Sequence, residues 1–195
     1  MARADTPHVV AICGSLRDAS HTRVALNRAL AAAADAGATT ELIDLRELDL
    51  PVYDADNGEA ADAPELTQRV RDGDVILLGT PMYHGSYSSP LKTALDYCGF
   101  DEFEQKTVGL LGVAGGSFPI TALDHLRSVC RALDAWVLPY QAAVPNASNR
   151  IEDGAFVDDS IEERVATLGR RAVQFARIEP DPSSFESDQN VGAGG

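Results

Sequence analysis

A chain of 195 residues with 45% hydrophobic content can bury a full core and is too apolar for wholesale disorder. Its 30 acidic against 16 basic residues give a formal net charge of −14, which repels a phosphate backbone and argues against non-specific nucleic-acid binding. No stretch approaches the roughly 20 apolar residues of a membrane span, and the N-terminus carries no apolar export segment.

In chain order, His8-Val9-Val10-Ala11-Ile12-Cys13 predicts a buried strand that runs directly into the loop Gly14-Ser15-Leu16-Arg17-Asp18-Ala19-Ser20. A helix over 21–36 follows, capped by Ser20 and stopped by Gly37, so the loop faces a helix N-terminus that attracts anions. Ser15, Arg17, Ser20, His21 and Thr22 are candidate phosphate contacts. For Ser15 and Ser20 the rival role is helix capping, and an exposed first turn explains His21 and Thr22 equally well. A strand over 39–44 comes next, then an acidic surface loop over 54–63 and a helix over 63–72.

The run Val75-Ile76-Leu77-Leu78 is apolar on both faces, as expected of a central parallel strand over 74–79. It leads to Pro81-Met82-Tyr83-His84-Gly85-Ser86, and a helix over 90–98 restarts at Ser89-Pro90. Tyr83 and His84 offer a flat wall for a planar ring, with Gly85 letting the backbone approach closely. A strand over 107–114 ends in Gly115-Gly116-Ser117, either an ordinary turn or room for the same ring. A helix over 119–134 carries His125 beside its apolar stripe, which reads as a satisfied or solvated histidine rather than a catalytic one. A strand over 136–138 and a helix over 160–177 complete the pattern, and Asn146-Ala147-Ser148 reads as a chance glycosylation triplet. Cys13, Cys98 and Cys130 sit in core-like segments without metal or disulfide spacing.

Five strand–helix alternations favour an α/β fold with a doubly wound, five-stranded parallel sheet of flavodoxin-like order 2-1-3-4-5. No Gly-x-Gly-x-x-Gly follows the first strand and no Gly-Lys-Ser/Thr phosphate loop occurs, so dinucleotide and nucleoside-triphosphate motifs are missing. One domain is expected over 1–178, followed by a disordered acidic tail over 179–195.

The loops together resemble the NAD(P)H-dependent FMN reductases of flavodoxin-like fold, a family that includes quinone and azo-dye reductases. Its phosphate loop, Gly-Ser-x-Arg-x-x-Ser, is matched by residues 14–20; its ring loop by Pro81 to Ser86, with Leu91-Lys92-Thr93-Ala94-Leu95-Asp96 following; and Gly115-Gly116-Ser117 fits a third element. Many relatives carry an acidic residue where Met82 stands and asparagine where His84 stands. The resemblance implies FMN as cofactor, NADPH or NADH as reductant and no catalytic protein nucleophile or metal. It further implies a small-molecule electron acceptor such as a flavin, quinone, azo compound or oxidised metal ion, and a homodimer with a tetramer as the alternative. A flavodoxin-type electron carrier and a redox-responsive, flavin-binding interaction protein are the rival functions.

Only Lys92 and Lys106 are lysine, and an acidic, lysine-poor chain resembles proteins of salt-accumulating cytoplasms; an ordinary acidic bacterial protein is the alternative. A reducing cytoplasm fits the unpaired cysteines.

Overall fold

The computed structural model describes residues 6–178, so the tail expected over 179–195 lies outside the described residues. Five strands, β1 (His8–Cys13), β2 (Thr39–Asp44), β3 (Val75–Pro81), β4 (Thr107–Val113) and β5 (Trp136–Val144), form one parallel sheet in the order β2-β1-β3-β4-β5. The expected fold is therefore the observed one.

Alternation along the central strands divides the core in two. Val9, Ala11, Cys13 and Leu77 pack on one face against α1 (His21–Asp35) and α6 (Asp159–Gln174). Val10, Ile12, Ile76 and Leu78 pack on the other against α2 (Ala63–Asp72), α3 (Ser89–Tyr97) and α5 (Ile120–Ala132). Phe103, at the end of the short α4 (Phe100–Phe103), is fully buried in that second layer. The three cysteines are buried and free; burial pushes the Cys98 and Cys130 thiols up to about 12, which keeps them protonated and inert.

Two close approaches set the layer containing α1. A Cβ on Gly169 of α6 would lie 2.0 Å from the Ala29 carbonyl oxygen, so only glycine lets α6 come this near α1. A Cβ on Gly79 of β3 would lie 2.5 Å from Leu26 Cδ1, which seats α1 on the sheet.

The structure extends two strands beyond their sequence-based limits. β3 continues through Thr80 and Pro81, which pair with Gly112 and Val113 of β4. β5 continues to Val144 rather than ending at 138, because it is an edge strand and tolerates Pro139 there, with a register shift opposite Val108 and Leu110. A small hairpin, β6 (Ile151–Glu152) with β7 (Ala155–Phe156), was not expected; its turn residues Asp153 and Gly154 have φ of 48° and 80°. Asp-Gly in such a turn is a strong hairpin signal, and the sequence carries it in plain view. The loop before α2 is exposed from Asp54 to Glu59, with one 3-10 turn at Ala55–Asn57.

Candidate functional site

All five strands of the main sheet are parallel, so the loops leaving β1, β3, β4 and β5 emerge at one edge, beside the point where the chain order reverses between β1 and β3. The first two loops are fastened together by buried polar groups. Gly14 N donates to Gly79 O at 2.8 Å, Ser88 Oγ donates to Gly14 O at 2.6 Å, and Ser88 N donates to Thr80 Oγ1 at 2.9 Å. A Cβ on Gly14 would sit 2.8 Å from both Leu91 Cβ and Ser88 Oγ, so the loop passes this point only as glycine.

The first loop ends at Ser20, whose side chain accepts from Arg23 N at 3.1 Å and caps α1. Ser20 thus takes the capping role. The amides of Arg17, Ala19, His21 and Thr22 donate to no protein group among the described residues. They lie at the positive end of a 15-residue helix, which is the ordinary chemistry of an anion site. Ser15 and Thr22 are each 2% exposed, and their hydroxyls have no protein partner among the described residues. Thr22 is therefore not on an exposed first turn. Arg17 makes no ion pair among the described residues, whereas Arg23 and Arg46 are both engaged by Asp44. Burial alone would raise the Asp44 carboxyl, but hydrogen bonds from Arg46 and the charges of Arg46 and Arg23 outweigh it and hold it below the usual carboxylate range.

The second loop is a tight reversal. Tyr83 N donates to Ser86 O at 3.0 Å and Ser86 N returns to Tyr83 O at 3.1 Å, while His84 and Gly85 have φ of 50° and 82°. Positive φ at both central residues is the mirror-image type I turn, in which asparagine followed by glycine is the favoured pair. His84 meets that requirement without being the favoured residue for it. Neither His84 nor Gly85 lines the cleft; they hold Tyr83 at its mouth, 51% exposed. Ser86 Oγ lies 2.9 Å from His125 Nδ1 and Thr121 Oγ1 donates to Met82 Sδ at 3.5 Å, so the reversal leans on α5. His125 is a satisfied histidine, as its place beside the apolar stripe suggested.

The third loop is tied to the segment after β5: Asn146 N donates to Gly116 O at 2.9 Å and Ala147 N to Ala114 O at 2.9 Å. Asn146 has φ of 48°, a left-handed conformation asparagine accepts readily, and it turns Ala147 and Ser148 toward the cleft. A Cβ on Gly115 or Gly116 would meet nothing within 4 Å, so protein packing does not require glycine at either position.

These loops enclose a cleft of about 260 Å³. Of the residues expected from sequence, Ser15, Arg17, His21, Thr22, Pro81, Met82, Tyr83 and Gly115 line it. Ser20, His84, Gly85, Ser86, Gly116 and Ser117 stand beside it and shape the loops. Ala19, Val113, Ala114, Ala147 and Ser148 also line it and were missed. For the last two the signal was obscured by ending the expected strand at 138, before Pro139, which left its C-terminal loop away from the ligand edge.

One end of the cleft is thus rich in donors and the other is bounded by Pro81, Tyr83, Val113 and Ala147. Comparisons with known proteins bear on the family. Residues 7–149 match the family model of NADPH-dependent FMN reductase. The chain is 30% identical over 180 residues to an FMN-dependent NADPH-azoreductase of Staphylococcus saprophyticus, covering 87% of this chain and 95% of that one. It is 35% identical over 150 residues to the enzyme of the same name from Staphylococcus aureus, covering 72% and 79%. Among solved structures, the apo form of an NADH:FMN oxidoreductase superposes with a TM-score of 0.73 at 23% identity, covering 90% of this chain and 92% of that one. The NAD(P)H:(acceptor) oxidoreductase of Paracoccus denitrificans superposes with a TM-score of 0.75 at 19% identity, covering 88% and 97%. By this match over most of its length and these identities, the chain belongs to the NADPH-dependent FMN reductase family.

Proposed function

We propose that FMN binds in this cleft, its phosphate at the start of α1 and its ring between the second, third and fourth loops. The activity follows from the family: the protein is an NAD(P)H-driven flavin oxidoreductase that uses FMN and NADPH. The observation that carries the binding mode is the single cation at the cleft's donor end. Arg17 is without a carboxylate partner there among the described residues, next to the Ser15 and Thr22 hydroxyls, which open only onto the cleft, and the amide end of α1. These groups fit a phosphate monoester in number and sign. Gly115, which lines the cleft with open space where a Cβ would stand, fits a planar ring approaching the backbone.

When bound, FMN supplies the hydride chemistry, accepting from a nicotinamide and passing reducing equivalents to a second substrate. The chain's own residues position it. Arg17, Ser15 and the loop amides would hold the phosphate. Pro81, Tyr83 and Ala147 bound the ring's surroundings and exclude water from part of it. Ser15 and Thr22 hydroxyls rotate to present protons to phosphate oxygens without a change in backbone.

Related enzymes named as azoreductases and acceptor oxidoreductases support a small-molecule acceptor of the quinone, azo or flavin class. Leu16, Tyr83 and Phe118, one in each of the first three loops, are 54%, 51% and 78% exposed. Their exposure around the cleft supports a homodimer in which a second copy covers the mouth, with a tetramer built from such pairs as the alternative. The acidic, lysine-poor composition supports adaptation to a salt-accumulating cytoplasm. No described helix is long and apolar enough to cross a membrane.

The test is the visible absorbance of FMN-loaded protein, recorded anaerobically in high salt before and after adding NADPH. Bleaching of the flavin bands faster than in a free-FMN control is expected. A bound flavin that NADPH does not bleach would point to an electron carrier, and failure to bind FMN would refute the cleft assignment.

A further inference from the structure

Behind the donor end of the cleft lies a charge cluster that does not line it: Arg23, Asp44 and Arg46. Arg23 donates through Nη1 to the Asp44 carboxylate at 3.1 Å and to the Arg17 carbonyl at 3.4 Å, and through Nη2 to the Asp18 carbonyl. Asp44 is the last residue of β2 and 4% exposed. It also accepts from Arg46 Nη2 at 2.7 Å, and Arg46 Nη1 reaches Asp18 Oδ1 at 3.1 Å. A nearly buried carboxylate therefore holds two guanidiniums, one of which grips the backbone of the first loop.

The grip has a directional consequence. In a trans peptide the N–H points opposite to the C=O, so carbonyls of Arg17 and Asp18 drawn toward Arg23 turn the amides of Asp18 and Ala19 the other way. Ala19 lines the cleft, and neither amide donates to a protein group among the described residues. Asp44 and Asp18 together balance the charges of Arg23 and Arg46, so Arg17 is left as the cation offered to an anion at the cleft.

We infer that Asp44, acting through Arg23, is a positioning residue for the phosphate of the bound flavin: it anchors Arg23 behind the first loop, and Arg23 aims the loop amides at the anion. The inference rests on the assignment of FMN to this cleft. Neither side chain touches the flavin. Both act by setting which way the peptide groups of residues 17–19 face.

Riboflavin, which lacks the phosphate, separates this role from general support of the site. Dissociation constants of FMN and riboflavin are measured by quenching of flavin fluorescence for the wild type, Asp44→Asn and Arg23→Met, with circular dichroism reporting the fold. Each variant is expected to weaken FMN about tenfold, the scale of one charged hydrogen bond, and to leave riboflavin within about twofold. The double variant should lose little more than either single one, because both changes release the same grip. Unchanged FMN affinity, or equal losses for both ligands, would overturn the inference. If Asp44→Asn does not fold, Arg23→Met decides alone, since its methionine keeps the apolar stem of a partly exposed side chain. A wild type that binds the two flavins equally, with Arg17→Ala silent, would instead remove the phosphate assignment on which the inference stands.

Discussion

Arg17 and the His84-Gly85 pair act by opposite means, one by charge and the other by backbone shape. Arg17 faces the cleft without a carboxylate partner among the described residues, so its removal costs no ion pair within the protein. Arg17→Ala should weaken FMN binding by about 10- to 100-fold, the scale of a charge-assisted contact, and leave the melting temperature within about 2 °C. Flavin titration and thermal melts measure the two separately. An unchanged affinity would mean the phosphate lies elsewhere. At the reversal after β3, His84 occupies a left-handed conformation that asparagine tolerates better. His84→Asn should stabilise the protein by about 0.5 kcal/mol. Gly85→Val should cost about 2 kcal/mol and also reduce flavin affinity, because Tyr83 is held by the same turn. Urea unfolding would test both, and destabilisation by His84→Asn would contradict the turn assignment.

Among the elements, α1 and α6 carry a close contact that neither helix could reveal alone. The Ala29 carbonyl leaves no space for a side chain at residue 169, and a backbone oxygen cannot rotate away. Gly169→Ala should therefore push the helices apart and cost about 2–3 kcal/mol by urea unfolding, even though alanine is the better helix former. A neutral or stabilising effect would show that α6 lies farther from α1. The start of α6 adds a pH dependence. Asp158 caps it, accepting from Ser160 N at 3.0 Å and Ile161 N at 3.1 Å. The Ser160 hydroxyl, the Ile161 amide and nearby Arg150 hold its carboxyl below the usual range, as Arg46 and Arg23 do for Asp44. Both groups bind a proton less readily folded than unfolded, so acid favours unfolding. Their contribution is complete above the unfolded value of about 4 and is lost as pH falls through the lower folded values. Asp158→Asn should flatten the acid limb of a stability–pH profile without changing its neutral limb shape. An acid limb as steep as the wild type's would remove Asp158 from the account.

At the scale of the molecule, a net charge of −14 makes the folded state repel itself. Screening shortens from about 10 Å at 0.1 M salt to about 3 Å at 1 M, so a salt-adapted surface should stabilise as potassium chloride is added. The melting temperature is expected to rise by about 10 °C between 0.1 and 2 M; a flat response would mark an ordinary acidic protein. The same chain shows how far local chemistry reaches. Strands β1, β3 and β4 were legible because they are covered on both faces, which demands an unbroken apolar run. The first loop was legible because glycine, serine and a helix cap must be adjacent in sequence to form an anion site. The hairpin at Asp153-Gly154 was legible too and was overlooked. Other features have no local signature. β5 passes through Pro139 because, among the described residues, no strand pairs with its outer edge. Ala147 and Ser148 reach the cleft only because Asn146 is tied to Gly116 of another loop. Ser88 and Gly14 are 74 residues apart, and Arg23 and Asp44 are 21 apart, yet each pair works by direct contact. By itself, then, the sequence determined the βα order and the two principal loops, since these follow from short-range periodicity, capping and turn chemistry, and those loops carried the resemblance to the family. Tertiary structure alone decided which side chains line the cleft, which brace it and which cation stays free, because those depend on distances between segments that no local pattern records.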